Sequence, residues 1–297
     1  MTTSSHAPVS AIGFGGATFG REIDEATAFA LLDYAREKGV THLDTAVAYG
    51  NGKSEEIIGR WLASRRPAGM SVATKALPPY SPVELAAAID LSLRRLGSEA
   101  IDLFYLHRWD VSLGDEGLAV LENARQAGKL ARAGITNIAP VTLAAVLERQ
   151  QALGYAPFEV LQCNQNYAVT EMVPDMQAIC AKHRLEVVTF SPLGAGFLTG
   201  KHQSGVVAGS RFDVSPGHQA IYFQPVAQQR LQRLQTVAAR TGFLPEQLAL
   251  AWALRRPGVS TVLVGGRTTA HLDQALAAQR FQTLPALAEL EEADSAA

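Results

Sequence analysis

The sequence predicts a closed (β/α)8 TIM barrel, formed as a single domain over residues 1–297. Three observations support this prediction. Short β-branched runs alternate with longer amphipathic stretches about eight times, which is typical of a parallel sheet. No change of composition divides the chain into parts. Its length is close to the roughly 250 residues that such barrels use as one domain.

Each predicted helix repeats apolar residues at a spacing of three or four. Asp24 is placed to cap the first helix and Gly39 to end it. The third helix opens with a cap at Ser81, a first-turn proline and a glutamate three residues on. The predicted helices cover residues 24–38, 54–64, 81–96, 118–127, 140–153, 172–184, 226–240, 245–255 and about 269–278.

The predicted strands are the short runs between these helices, and a glycine-rich segment, 11–20, precedes the first of them. They cover residues 41–46, 71–76, 101–107, 132–137, 160–164, 186–192 and 260–264. The segment at about 194–225 has no clear period and is rich in glycine. A loop of this length inside a compact domain is usually functional. Residues 286–297 are expected to form a polar, alanine-rich tail, either helical or frayed.

Composition excludes several classes of protein. The net charge of −2 favours neither nucleic acid nor an anionic membrane as a partner. Two cysteines cannot build a disulfide framework, so a reducing cytoplasm is the expected compartment. The first residues carry no basic patch followed by an apolar stretch, and no apolar run approaches 18 residues. We therefore expect neither a signal peptide nor a membrane span.

Four polar residues stand at the ends of predicted strands or just beyond them, where TIM barrels carry their active sites. Asp44 ends one strand, Lys75 the next and His107 the one after, and Tyr49 follows Asp44 by five residues. Taken singly, a lysine is usually a surface residue and a strand-end histidine is usually structural. Their common register in a barrel instead brings all four to one rim, where the buried Asp and Lys must pair.

This set of residue types is suited to moving a proton at a carbonyl oxygen. An ammonium group lowers the pKa of a nearby phenol from about 10, so that the phenol can protonate an alkoxide as it forms. A histidine at the same rim can orient the carbonyl. The sequence contains no metal-ligand spacing and no nucleophile motif. An acid without either indicates a cofactor that supplies the reducing equivalent.

The segment GFGGATFG, with Asp44 some 30 residues on, also imitates the fingerprint of a dinucleotide-binding fold. That fold would require the glycine-rich turn to pass directly from a strand into a helix. Here residues 21–23 intervene, and about eight units follow in place of six. The barrel is therefore the favoured interpretation.

The chain resembles the aldo-keto reductase superfamily over nearly its whole length. The matching stretches are GFGGATFG, THLDTAVAYGNGKSEEIIGRWL, VATK, RRLGSEAIDLFYLHRWD, GKLARAGITN, FSPLGAGFLTGK and VLVGGRTTAHL. The resemblance implies an (α/β)8 barrel that transfers a hydride from a nicotinamide to an aldehyde or ketone. It implies a catalytic tetrad in which Tyr49 is the general acid, Asp44 and Lys75 tune it, and His107 orients the carbonyl.

The resemblance also implies contacts with the cofactor, expected to be NADPH, with NADH as the alternative. The implied contact residues are Gly16, Ala17, Thr18, Asp44, Asn137, Gln162, Phe190, Ser191, Pro192, Leu193, Gly196, Lys201, Arg211, Gly265, Gly266, Arg267, Thr268, His271 and Gln274. Arg267 is expected to hold a 2′-phosphate through its planar fork, beside a helix N-terminus that favours anions.

Some positions depart from the pattern of the superfamily. Phe190 stands where many members have Tyr, and Gln274 and Ala275 stand where many have Glu-Asn. The phenyl ring of Phe190 can still stack on nicotinamide. Gln274 and Ala275, in contrast, weaken the expected contact with adenine. The carbonyl substrate is expected to meet Phe19, Val47 and Trp109.

Two further functions stay open at this point. One is an NAD-dependent sugar or alcohol dehydrogenase on the same fold. The other is a regulatory barrel that binds nucleotide with little turnover. The sequence names neither the substrate nor the oligomeric state.

Overall fold

The computed structural model describes residues 10–292, and its sheet is a closed barrel. Each strand pairs in parallel with the next, and the last pairs with the first. The strands are β1 (Ile12–Gly15), β2 (His42–Asp44), β3 (Ser71–Ala76), β4 (Ile101–Leu106), β5 (Leu130–Thr136), β6 (Val160–Asn164), β7 (Glu186–Phe190) and β8 (Val259–Gly265). The predicted barrel is confirmed.

Helices follow the strands and pack outside them. They are α1 (Glu25–Glu37), α2 (Lys53–Arg65), α3 (Pro82–Leu96), α4 (Gly114–Gln126), α5 (Pro140–Ala152), α6 (Pro174–His183), α7 (Arg211–Val214), α8 (Gln219–Tyr222), α9 (Pro225–Thr241), α10 (Pro245–Leu254), α11 (Thr269–Ala278) and α12 (Pro285–Glu292). Asp24 and Ser81 accept backbone N–H bonds at the starts of α1 and α3, as their capping positions predict.

The apolar core has two parts. The larger part lies between the strands and the helices and includes both fully buried tryptophans, Trp61 and Trp252. A small separate cluster comes from alternate positions of the strands, including Ala73, Leu103 and Val188. Alternate residues of a barrel strand point to its interior, so this cluster fills the barrel. The barrel is therefore packed, and the site is left to its rim.

The segment at about 194–225 was expected to lack regular structure, and this expectation is wrong in part. The segment contains helical turns at Gly194–Thr199 and Pro216–His218 in addition to α7 and α8. Its aromatic rings pack on one another, with centroid separations from 4.9 to 6.4 Å. They belong to Phe197, His202, Phe212, Tyr222 and Phe223. These contacts join residues that are far apart in the sequence, so no periodic pattern along the chain predicts them.

Several boundary predictions also need correction. α4 starts at Gly114 rather than at residue 118, because its first turn is polar and adds nothing to the apolar pattern. β2 ends at Asp44 and β7 at Phe190, each two residues before the predicted end. Of the predicted tail, the structure describes α12, and residues 293–297 lie outside the described residues. Between residues 10 and 292, no helix is long and apolar enough to cross a membrane.

Candidate active site

The turn after β2 presents Tyr49 at the rim where the strands end. Tyr49 opens a turn, Tyr49–Gly52, whose next three residues all have positive φ: 57° at Gly50, 55° at Asn51 and 89° at Gly52. Glycine adopts this left-handed region without steric cost, and Asn tolerates it better than most residues do. The Gly-Asn-Gly sequence therefore allows the sharp reversal that leaves the Tyr49 ring half-buried beside the ends of β2 and β3.

Asp44 and Lys75 form a buried ion pair at the ends of β2 and β3. The Lys75 side chain is fully buried and its Nζ donates to Asp44 Oδ1, and also to the carbonyl oxygen of Thr45 at 2.8 Å. Burial alone would lower the pKa of Lys75. The negative charge of Asp44 and the phenol of Tyr49 outweigh that effect and raise the Lys75 pKa above its usual value. Lys75 is therefore an ammonium at neutral pH.

Tyr49 and His107 complete the group of four that the sequence predicts. The Nζ of Lys75 lies 5.0 Å from the centroid of the Tyr49 ring. The rings of Tyr49 and His107 meet edge to face, with centroids 5.8 Å apart. Residues that span 63 positions of the chain thus converge at one rim. Burial, and then the charge of Lys75, lower the pKa of His107 to about 4, so its imidazole is neutral near pH 7.

Two amide side chains surround this group from β5 and β6. Gln162 Nε2 donates to the second oxygen of Asp44, Oδ2, at 2.8 Å. Asn137 has φ of 52° and donates from Nδ2 to the carbonyl oxygen of His107 at 2.8 Å. Asn137 is exposed and Gln162 is buried. Both predicted nicotinamide-binding residues thus lie beside the tetrad, where Gln162 also contacts Asp44 directly.

The segment after β1 lies on the other side of the rim. Gly16 is held by Ser54, whose Oγ donates to the Gly16 carbonyl oxygen at 2.8 Å. Thr18 Oγ1 donates to the carbonyl oxygen of Gly266 at 3.4 Å, with Ala17 between Gly16 and Thr18 half-buried. This contact brings the first glycine-rich segment against the last one, although they are about 250 residues apart.

The structure corrects the placement of Phe19, which was expected to meet the substrate. Its side chain is fully buried and packs on Phe14, with ring centroids 6.0 Å apart. The ring fills the space beneath Gly16, where it offers no surface to a ligand. Val47 and Trp109 are half-buried at the rim. The backbone N–H of Trp109 donates to the Asn137 carbonyl oxygen, which ties this loop to the amide side of the site.

The chain after β7 turns back through several left-handed residues. Phe190 is half-buried, and φ is positive at Ser191, Gly194, Ala195 and Gly196. Pro192 is buried and Leu193 is half-buried. Left-handed residues of this kind can turn N–H groups toward one concave surface, which binds anions. The ammonium of Lys201 lies about 3 Å from the position that a β-carbon on Gly196 would take, so a cation accompanies this turn.

The last group of predicted residues surrounds the start of α11. Gly265, Arg267, Thr268, His271 and Gln274 are exposed there, and Gly266 is half-buried. The Thr268 side chain does not cap the helix but pairs with His271 Nδ1 at 2.9 Å, which leaves the helix N-terminus without a side-chain cap. Arg267 Nη1 donates to the Gly209 carbonyl oxygen of the long loop at 3.1 Å.

Arg211 joins the same loop to the segment between β1 and α1. Its Nη1 lies 3.5 Å from Glu22 Oε1, and burial lowers the pKa of its guanidinium. Lys201, Arg211 and Arg267 thus place three cations on or beside the long loop, and Glu22 offsets part of the charge of Arg211. The residues present therefore fit an elongated anionic ligand such as a nicotinamide dinucleotide.

The titratable side chains gathered at the rim are suited to acid–base chemistry. Within the described range, 10–292, no cluster of three His, Cys, Asp or Glu side chains could hold a metal ion. Burial raises the thiol pKa of both buried cysteines, well above its usual value for Cys163 and to about 11 for Cys180. Their thiols are therefore poor nucleophiles at neutral pH.

Sequence reasoning missed several polar residues beneath the site. Asn166 donates from Nδ2 to the Ser191 carbonyl oxygen at 3.0 Å, and Tyr222 donates to Asn164 at 3.1 Å. Ser54 and Glu55 lie in the predicted helix 54–64, and the sequence analysis assigns neither of them a role in the site. A buried polar residue within an otherwise apolar face is a signal that could have identified Ser54, whereas Asn166 and Tyr222 lie 56 positions apart and give no such signal.

Comparison with known proteins gives one family. The model of the aldo/keto reductase family matches residues 11–294. Probable aldo-keto reductase 1 of Glycine max is 29% identical over 287 residues, which cover 91% of this chain and 81% of the relative. Aldo-keto reductase ausK of Aspergillus calidoustus is 31% identical over 272 residues, covering 84% and 68%. Aldo-keto reductase yakc [NADP(+)] of Schizosaccharomyces pombe is 28% identical over 288 residues, covering 90% and 82%.

Proposed function

The chain belongs to the aldo/keto reductase family of nicotinamide-dependent oxidoreductases, and from this premise we propose that it reduces a small aldehyde or ketone with NADPH. One observation carries the proposal: the phenol of Tyr49 lies beside the ammonium of Lys75 and the imidazole of His107 at one rim of the barrel. These groups suit the protonation of a carbonyl oxygen.

In this proposal Tyr49 donates its proton to the carbonyl oxygen of the substrate. The phenol oxygen gains negative charge as the proton leaves, and the nearby ammonium of Lys75 stabilises that charge. Asp44 keeps Lys75 charged and in place, because it accepts from Nζ at a site closed to water. Gln162 holds the other oxygen of Asp44, so the carboxylate cannot turn away.

His107 has a different role because it is neutral. Because its pKa is lowered, His107 is not an imidazolium near pH 7, so it cannot replace Tyr49 as the general acid. A neutral imidazole N–H still donates a hydrogen bond, and His107 packs against the Tyr49 ring. We assign it the orientation of the carbonyl oxygen toward Tyr49.

When bound, the nicotinamide supplies the hydride. Asn137 and Gln162 would hold its carboxamide, and Phe190 would stack on its ring. The turn from Ser191 to Gly196, with Lys201, would receive the pyrophosphate. The exposed groups at the start of α11, with Arg267 foremost, would hold the adenosine phosphates.

Preference for NADPH depends on Arg267. Its guanidinium is exposed and tied only to a backbone carbonyl of the loop among the contacts found in the structure, so it can turn to a 2′-phosphate. We expect Arg267→Ala to raise the KM for NADPH by roughly 10- to 100-fold, as for one charged hydrogen bond. The KM for NADH should change less than threefold. Equal effects on both cofactors would remove Arg267 as the phosphate clamp.

The decisive experiment is a panel of carbonyls and sugars assayed with NADPH, NADP+, NADH and NAD+ at the cofactor absorbance. Tyr49→Phe should lower carbonyl turnover by about 10²- to 10⁴-fold while NADPH still binds. Turnover found only with NAD+ and an alcohol or sugar would favour the dehydrogenase instead. Tight NADPH binding with no turnover on any substrate would favour a regulatory barrel.

A further inference from the structure

The first turn of α2 carries two consecutive polar residues that are fully buried, Ser54 and Glu55. Each hydrogen-bonds a residue adjacent to a tetrad residue. Ser54 Oγ contacts Thr45 Oγ1 at 2.7 Å, next to Asp44. Glu55 Oε1 accepts from Thr74 Oγ1 at 2.7 Å, next to Lys75. The helix that follows the Tyr49 turn is thus tied to both strands that carry the ion pair.

Arg95, near the end of α3, is the second partner of Glu55. Its Nη1 donates to Glu55 Oε2 at 3.2 Å. The same guanidinium lies flat against Gly52, where a β-carbon would stand only 2.1–2.5 Å from Cζ and both terminal nitrogens. Gly52 is the last residue of the Tyr49 turn. Arg95 therefore covers the end of this turn and joins it to the buried carboxylate.

A fully buried carboxylate costs free energy unless its partners replace water well. Glu55 has Thr74, Arg95 and the positive end of α2 as compensation. The same helix also has an exposed ion pair, Glu25 with Arg60, which joins α1 to α2 and touches neither the turn nor β3. The buried pair thus adds a side-chain connection between the helix that follows the Tyr49 turn and the strand that carries Lys75, besides the backbone bond from the Val47 N–H to the Lys75 carbonyl oxygen.

We propose that Glu55 and Arg95 are positioning residues, which hold the Tyr49 turn against β3 and so set the distance from the Tyr49 phenol to Lys75 Nζ. The proposal rests on the proposed carbonyl reduction by Tyr49. The left-handed backbone of residues 50–52 needs such support, because conformations of this kind persist only where their surroundings enforce them. Loss of the pair would let the turn relax and move the phenol away from the ammonium.

The pH profile of the rate follows that distance, because the effect of the Lys75 charge on the Tyr49 phenol weakens as the two groups separate. The charged and titratable groups that face the phenol are Asp44 from β2, Lys75 from β3, His107 after β4 and Arg211 from α7. Glu55→Gln removes a negative charge near the turn and Arg95→Met removes a positive one, so their direct electrostatic effects on the phenol have opposite signs. A shift of the alkaline limb to higher pH in both variants therefore reports a displaced phenol.

The test compares Glu55→Gln, Arg95→Met and Arg95→Lys with the matched control Arg60→Met. For the first two we expect kcat to fall about 10- to 100-fold, since misplacement of a reacting group has effects of this size. The Kd for NADPH should stay within threefold, and the alkaline limb should move to higher pH. Arg95→Lys keeps the charge but not the flat contact, so its kcat should lie between these values and wild type. Arg60→Met should match wild type.

Thr74→Val is the milder variant if the others fail to fold, because it removes only the hydroxyl that Glu55 accepts from. The phenolate difference absorbance of Tyr49, taken against Tyr49→Phe, gives the same information without turnover. An inactive wild-type protein would end the proposed function, yet a shifted phenolate titration would still support the positioning role. Variants with a lower Tm but unchanged rate profile and phenolate titration would overturn it.

Discussion

Removal of Lys75 should destabilise the fold more than loss of any exposed ion pair. Both side chains of the Lys75–Asp44 pair are almost completely buried, at 0% and 4% exposure. In Lys75→Met, Asp44 keeps only the Gln162 amide as a side-chain donor. A buried charge left without its partner typically costs about 3–5 kcal/mol. We expect a loss of that size in the free energy of unfolding, at neutral pH.

Urea unfolding of four proteins measures this effect: wild type, Lys75→Met, Asp44→Asn and the double variant. The double variant should regain at least half of the loss, because it buries no charge. The exposed Glu25–Arg60 pair, treated in the same way, should give a much smaller coupling, because water screens it. A loss under about 1 kcal/mol for Lys75→Met, with an unchanged urea slope, would refute the view that the charge of Asp44 is buried and depends on Lys75.

Three further predictions concern the same rim and the barrel beneath it. Because the pKa of His107 is lowered to about 4, kcat/KM should show no ionisation between about pH 5.5 and 8 that His107→Gln removes. Tyr80→Phe removes the hydroxyl that donates to the Ala76 and Arg108 carbonyl oxygens, and the Ala76 oxygen keeps the His107 N–H as a donor, so urea unfolding should show a loss of about 0.5–1.5 kcal/mol. Gly134→Ala places a methyl 2.7 Å from the Tyr105 ring and should cost about 1–3 kcal/mol, whereas Gly217→Ala, in open space, should change stability by less than about 0.5 kcal/mol. Equal stability of the two alanine variants would contradict the tight packing inside the barrel.

Elements whose boundaries depend on local chemistry could be predicted from the sequence. Asp24 and Ser81 start their helices because a short polar side chain satisfies free N–H groups, and Gly39 follows α1 with φ of 83°. The predicted boundaries were wrong where the local sequence carries no capping residue or apolar spacing that marks them. The polar first turn of α4 has no apolar spacing, and the turns within 194–224 are held by rings far apart in sequence.

The candidate site likewise has features that the sequence predicts and features that it does not. The convergence of Asp44, Tyr49, Lys75 and His107 at one rim was predictable because each lies at or just beyond the end of a strand. The bond from Gln162 to Asp44 joins residues 118 positions apart, and the inward turn of Phe19 depends on what packs beneath Gly16. Such contacts follow from how the barrel closes, so a pattern along the chain does not predict them.

The aromatic contacts within the segment at about 194–225 join its turns to one another, and Phe197, Phe212 and Tyr222 belong to the larger apolar core. Phe212 contacts His202, Tyr222 and Phe223, and it is completely buried. A stretch organised in this way should exchange amide hydrogens as one cooperative unit and resist cleavage along its length. Replacing Phe212 by alanine would then loosen both ends of the segment together. The positions of the Lys201 and Arg211 side chains would become less fixed as a result.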